Sequence, residues 1–219
     1  TGVTVQDLTV DGGGRGNANY RFQGVGFWNA GGTLQDASVI DVMDTPFSGS
    51  QHGVGIYAYN DTGGPYTVNI TRVTVDDYQK NAMSLNGTGL ISNVIDCVTT
   101  GQGPTDVTAQ NGIQLWGGNG GTISGCQVSG NIYTGDGWAA AGILLISAGT
   151  VDITGTAVSD GDPAVYCQDT DASADGITIA NSDLEFGTFT FSLTGVGIEP
   201  GINVRQGNND LPDDSGVYD

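Results

Sequence analysis

Gly24-Val25-Gly26-Phe27 returns as Gly53-Val54-Gly55-Ile56, Ala82-Met83-Ser84-Leu85 and Gly112-Ile113-Gln114-Leu115, then as Gly142-Ile143-Leu144-Leu145, Ala164-Val165-Tyr166-Cys167 and Gly195-Val196-Gly197-Ile198. The steps between the seven copies are 29, 29, 30, 30, 22 and 31 residues. A period of this size marks a solenoid, in which one repeat cannot bury its apolar face alone and stacks on the next. A second element lies between the copies: Val5 to Val10, Leu34 to Val39, Ile70 to Val75, Val94 to Thr99, Ile123 to Val128, Ile153 to Val158 and Ile179 to Leu184. Both elements are short, alternate β-branched with polar residues, and are bounded by Gly, Asn or Asp. No stretch sustains a 3.6-residue period, so helix is nearly absent. Hairpin dipeptides are missing between the strands, which argues for a coil over a meander. The expected fold is all-β, a parallel β-helix of about seven coils, roughly 34 Å long at about 4.8 Å per turn. It forms one domain over 1–205, followed by a polar tail or cap over 206–219.

Composition narrows the function. The 38 glycines follow no Gly-X-Y period, which excludes collagen. No apolar run reaches the roughly 18 residues that span a bilayer. The formal net charge is −19, so a phosphate backbone would be repelled and nucleic-acid binding is not expected. The chain opens on Thr1 and runs directly into a strand, which suggests a processed product, secreted or at the cell surface. Cys97 and Cys126 lie one repeat apart, so they stack in adjacent coils either as buried thiols or as a disulfide. Asn-X-Ser/Thr triplets begin at Asn60, Asn69 and Asn86.

Loop lengths locate the candidate site. From the end of each second element to the next Gly-Val-Gly-Phe copy the distances are 14, 14, 7, 13, 14, 6 and 11 residues. A short turn between tall neighbours makes the floor of a cleft. The short sixth turn carries no candidate base. The short third turn is Asp76-Asp77-Tyr78-Gln79-Lys80-Asn81, with two carboxylates, a phenol and the only lysine. Equivalent positions of neighbouring coils hold Tyr20, Arg21, Gln51 and His52 on one side and Asp106, Gln110 and Asn111 on the other. Lys80, His52, Arg21 and Asp77 form the candidate catalytic set. Proton abstraction from a uronate needs a base, for which Lys80 or His52 qualifies. It also needs a neutralised carboxylate, for which Arg21 or a calcium ion held by Asp76, Asp77 and Asp106 qualifies. Tyr20, Gln51, Tyr78 and Gln110 would contact substrate. Trp28, Tyr57 and Trp116 follow the Phe27-like position of their copies and would offer sugar-stacking rings if they point outward. A purely structural alternative pairs Asp77 with Lys80 across the turn and stacks Asn81 on Asn111 as an amide ladder.

The repeat pattern from about Val3 to Ile202 resembles the right-handed parallel β-helix of the pectate-lyase-like superfamily, and Val5-Gln6-Asp7-Leu8-Thr9-Val10-Asp11-Gly12 is similar to the strand that opens many carbohydrate-acting members. The resemblance implies a protein that binds or acts on an acidic polysaccharide, as a lyase or epimerase if catalytic. Polygalacturonase-like hydrolases carry Asn-Thr-Asp, Asp-Asp, Gly-His-Gly and Arg-Ile-Lys in that order. Here Gln51-His52-Gly53 precedes Asp76-Asp77 and the other two motifs are missing, as is the Tyr-Gly-Phe-Asp-Pro-His signature of mannuronan epimerases. A hydrolytic pair would come from Asp76 and Asp106 in neighbouring coils. The alternative is a non-catalytic extracellular module, an adhesin, surface-layer or filament subunit. Its open N-terminal coil would meet a preceding segment or stack end to end on a second copy.

Overall fold

The computed structural model describes residues 2–17, 19–136, 138, 140–161, 163–168, 177–180, 182–186, 197–198 and 203–206. Parallel strands stack in register into two sheets, with no helix among the described residues. The six-stranded sheet joins β2 (Gln23–Trp28), β4 (Val54–Tyr59), β6 (Asn81–Asn86), β9 (Asn111–Trp116), β12 (Ala141–Ile146) and β15 (Val165–Gln168). The thirteen-stranded sheet is folded along its length. One half holds β7 (Leu90–Ile95), β10 (Gly120–Ser124), β13 (Val151–Thr154), β16 (Ile177–Ala180) and β18 (Gly197–Ile198). The other holds β8 (Val98–Thr100), β11 (Gln127–Ser129), β14 (Ala157–Gly161), β17 (Asp183–Phe186) and β19 (Asn203–Gln206). The long strands β1 (Val3–Asp11), β3 (Gly32–Ile40) and β5 (Tyr66–Asp76) belong to both halves.

The second sequence element is therefore two strands at an angle, where one straight strand was expected. The hinge is a left-handed residue at its third position: Asp7, Asp36, Arg72 and Asp96 have φ of 57°, 50°, 52° and 53°, followed by Gly125 and Gly155 at 65° and 59°. Asp and Gly tolerate that region best, which is why five of these six positions hold them. Arg72 is the exception, and its guanidinium makes a two-pronged contact with Asp36, at 2.6 and 2.7 Å, one coil away.

Inside, like stacks on like. Val25, Ile56, Met83, Ile113, Ile143 and Val165 form one column, and Leu34, Ile70, Val94, Ile123, Ile153 and Ile179 another. The repeated glycine has a packing cause. A Cβ on Gly55 would come within 2.4 Å of Val75 Cγ1, and one on Gly142 within 2.3 Å of Val158 Cγ1. Each coil thus presses a valine back against the start of the six-stranded-sheet strand that precedes it, and only a small residue fits there.

Two corrections to the repeat follow from the ladders. Gln23 pairs with Val54 and Val25 with Ile56, so the partner of Gly24 is Gly55, two residues beyond the copy read from sequence. The seventh copy is not in the six-stranded sheet: Gly197 and Ile198 pair with Thr178 and Ile179 of the folded sheet. Six stacked strands from β2 to β15 delimit five full turns there, fewer than the seven expected. Gln206, the first residue of the expected tail, belongs to β19, and 207–219 lie outside the described residues.

Cys97 and Cys126 are free, buried thiols in adjacent coils. Contact with Cys126, then burial, pushes the Cys97 thiol above its ordinary value. Asn60 is buried, and its amide donates to the carbonyls of Gly64 and Thr88 at 2.8 and 2.7 Å, so the first glycosylation triplet is closed to modification in the folded chain.

Candidate functional site

Among the described residues, Lys80 alone of the short third turn lines a cavity, and Arg21 and His52 line a different one. Asp77, at φ 53°, swings the chain out of β5, and Lys80 leads into β6. Over Lys80 opens a cavity of about 480 Å³. Its walls are Gly49 and Gln51 from the preceding loop, Val107, Thr108 and Ala109 from the following one, and Tyr133 and Trp138 from the loop beyond. Lys80 Nζ donates to the Ala109 carbonyl and does not pair with Asp77. Burial pushes the Lys80 amine down to about 8.

A larger cleft, about 820 Å³, runs along the outer face of the six-stranded sheet. It collects Tyr20, Arg21, Trp28, Gln51, His52, Tyr57 and Trp116 from the sequence-derived set, with Phe22, Gln23, Val54, Tyr59 and Asn86. The rings do project outward. Trp28 and Tyr59 have centroids 4.7 Å apart, and Tyr57 stacks on Tyr59 at 6.1 Å and 10°. Burial, reinforced by Tyr59, raises the Tyr57 phenol above its ordinary value, so it stays a neutral hydrogen-bond donor. The Arg21 guanidinium lies over the Tyr20 ring, 5.7 Å from its centroid, at the cleft edge. Among the described residues none that lines the cleft is acidic, although the chain carries 24 Asp and Glu against five Lys and Arg.

His52 reaches this cleft with a partner that sequence reading missed. Its Nε2 donates to Asp44 Oδ1 at 2.9 Å. Asp44 is 3% exposed and also accepts from Ser48 Oγ. Burial pushes the Asp44 carboxyl up, but its hydrogen bonds from Ser48, His52 and Ser50 and the charge of His52 outweigh that and hold it below the usual carboxylate range. An ionised Asp44 only accepts, so Nε2 is the donor of this bond, and in the neutral imidazole Nδ1 is the nitrogen without a hydrogen.

The remaining predicted residues do not join either cavity. Tyr78 is fully buried, and its hydroxyl donates to Asn131 Oδ1 at 2.7 Å. Burial pushes that phenol well above its ordinary value. Gln110 is 1% exposed and ties the Tyr78 carbonyl to the Gln102 amide. Both are buried and brace the coils through these hydrogen bonds. Asp77 accepts from Gln102 Nε2 at 3.0 Å on the exterior, and Asp106 is exposed on its own loop. Among the described residues no three Asp, Glu, His or Cys side chains gather to hold a metal ion, so Asp76, Asp77 and Asp106 do not form the expected calcium-binding group. Asn81 and Asn111 form the amide ladder, with Asn111 Nδ2 donating to Asn81 Oδ1 at 3.1 Å.

Tyr59 escaped the sequence reading because the two-residue slip put Tyr57 in its column. The true column is Trp28, Tyr59, Asn86, Trp116 and Ile146. Among the described residues no helix is long and apolar enough to cross a membrane. Comparison with protein-family models, with curated proteins and with solved structures found no match.

Proposed function

We propose that the outer cleft of the six-stranded sheet binds an acidic polysaccharide, as in the carbohydrate-handling β-helices that the repeat resembles. The observation that carries this reading is an aromatic cluster, Tyr57 stacked on Tyr59 with Trp28 tilted at 43° against Tyr59, beside Arg21 and His52 in a cleft whose described lining holds no carboxylate, on a strongly acidic chain. Aromatic faces take the apolar face of a pyranose. Arg21 takes the uronate carboxylate, and the missing acids avoid repelling it. A polymer of that kind is met outside the cell, so a secreted or cell-surface location belongs to the same proposal.

Isothermal titration calorimetry with galacturonate and mannuronate oligomers, each beside a version whose carboxyl groups are reduced to alcohols, tests it. Binding that needs the carboxyl groups and weakens in Arg21→Gln is expected. Equal affinity for acidic and neutral oligomers would sink the assignment.

A catalytic version is favoured by one observation, the Asp44-oriented imidazole in the same cleft. His52 Nδ1 would take the proton α to the carboxylate while Arg21 holds the developing negative charge. Lys80, the other candidate base, opens onto the neighbouring cavity. Rising ultraviolet absorbance with any uronate oligomer marks elimination, and proton exchange at C5 followed by NMR marks epimerisation. Neither signal, or a signal that survives in His52→Ala, removes His52 as the base.

A further inference from the structure

The cavity over Lys80 is separate from the aromatic cleft, but the two share a wall residue, Gln51. Its side chain donates to the Gly49 carbonyl at 3.1 Å and to Thr108 Oγ1 at 3.3 Å, which binds the loop before the third turn to the loop after it. Among the described residues this cavity too has no acidic lining. The one charged group in its described lining is Lys80, the only lysine of the chain, set into the floor. An ammonium has three donors. The Ala109 carbonyl takes one, and among the described residues no carboxylate lies within ion-pair distance. A buried cation without a counter-charge is costly and strongly attracts an anion that fits beside it. Trp138, 75% exposed, and Tyr133 add ring surface on the same wall.

We propose that the Lys80 cavity is a second carboxylate-binding subsite, adjoining the aromatic cleft across Gln51, so that one acidic oligosaccharide occupies both. Lys80 receives the carboxylate of a uronate residue several sugars from the one held by Arg21, and Trp138 takes that residue's ring. This rests on the reading of the cleft as a polysaccharide site. It adds a length requirement, because a short oligomer fills the cleft alone and a longer one reaches Lys80.

The test uses the full chain with galacturonate and mannuronate oligomers of trimer and octamer length. The octamer is expected to bind at least about tenfold tighter than the trimer. Lys80→Met and Trp138→Ala should each remove that gain and leave trimer affinity unchanged. In unsubstituted protein, acylation of the single lysine side chain, followed by mass spectrometry, should be slowed by the octamer and not by the trimer. A Lys80→Met protein that keeps the octamer's advantage, or acylation that the bound octamer does not slow, overturns the second subsite while the cleft reading stands. Failure of both oligomers to bind the unsubstituted protein overturns both.

Discussion

Replacing Lys80 with methionine should make the protein more stable in the absence of sugar. The ammonium is set into the cavity floor with one carbonyl acceptor, and burial lowers its pKa from 10.5 to about 8. A tenfold loss of proton affinity corresponds to about 1.4 kcal/mol between the two protonation states, so holding the charge costs roughly 3 kcal/mol when the amine is fully protonated. Methionine keeps the unbranched apolar stem and removes the charge. The lost hydrogen bond to Ala109 returns about 1 kcal/mol of this, which leaves a gain of about 2 kcal/mol. The pH dependence identifies the cause. Because the folded pKa is the lower one, the unfolded chain binds more protons between pH 8 and 10.5. Wild-type stability therefore rises across that window relative to the variant. The methionine advantage is full below pH 8 and fades as pH approaches 10.5. Urea denaturation of both proteins at several pH values from neutral to the top of that window measures the difference, and shared titrations cancel. A variant less stable than wild type at neutral pH, by an amount independent of pH, would refute the reasoning. A lysine that destabilises its own fold accords with a residue placed there for an anion.

Three further outcomes follow from the packing. Trp28→Ala and Tyr59→Ala should each weaken oligouronate binding by up to about tenfold, since one aromatic contact contributes roughly 0.5–1.5 kcal/mol; titration by intrinsic fluorescence reads the Tyr59 variant, and unchanged affinity in both would count against the platform. Gly142→Val drives a side chain into Val158 Cγ1 and the Ala164 carbonyl, which sit 2.3 and 2.8 Å from the position of a Cβ. Overpacking of this kind costs about 1–3 kcal/mol, to be read from the denaturation midpoint, and a neutral result would contradict the valine-on-glycine contact. Cys97 and Cys126 should resist a thiol reagent in the folded protein and react on unfolding, with both sulfurs titrating as free thiols; fast labelling of either one in native buffer would contradict their burial.

The solenoid was legible because stacking forces each coil to repeat the same inward residues, as the Ile56, Met83, Ile113 and Ile143 column does. The slip at the second copy has a physical reason. Gly53 and Gly55 both flank Val54, and a shift of two residues preserves strand parity, so the apolar pattern reads equally well in either register. The bend at Asp7, Asp36, Asp96, Gly125 and Gly155 was present as an Asp or Gly at the third position of five of the seven second elements. Alternation alone does not report a left-handed residue between two strands. Loop lengths singled out the third turn, of which Lys80 lines a cavity. They carried no information about which way Tyr78 and Gln110 face. Asp44 was invisible for a different reason. It stands eight residues before His52 in a segment that stacks on the third turn through Val42 and Tyr78, and its role arises only when the loop between folds back and sets its carboxylate against His52. Trp138 was hidden likewise, in the loop before β12, outside every repeat column.

The central claim is that an acidic sugar lies on the Trp28–Tyr59 platform with its carboxylate at Arg21. A crystal structure of the protein saturated with a uronate oligomer tests it most directly. The account predicts a pyranose ring stacked on Trp28 and Tyr59 and a carboxylate within hydrogen-bond distance of the Arg21 guanidinium. An oligomer bound away from this cleft, or a cleft left empty at saturating ligand, would contradict it.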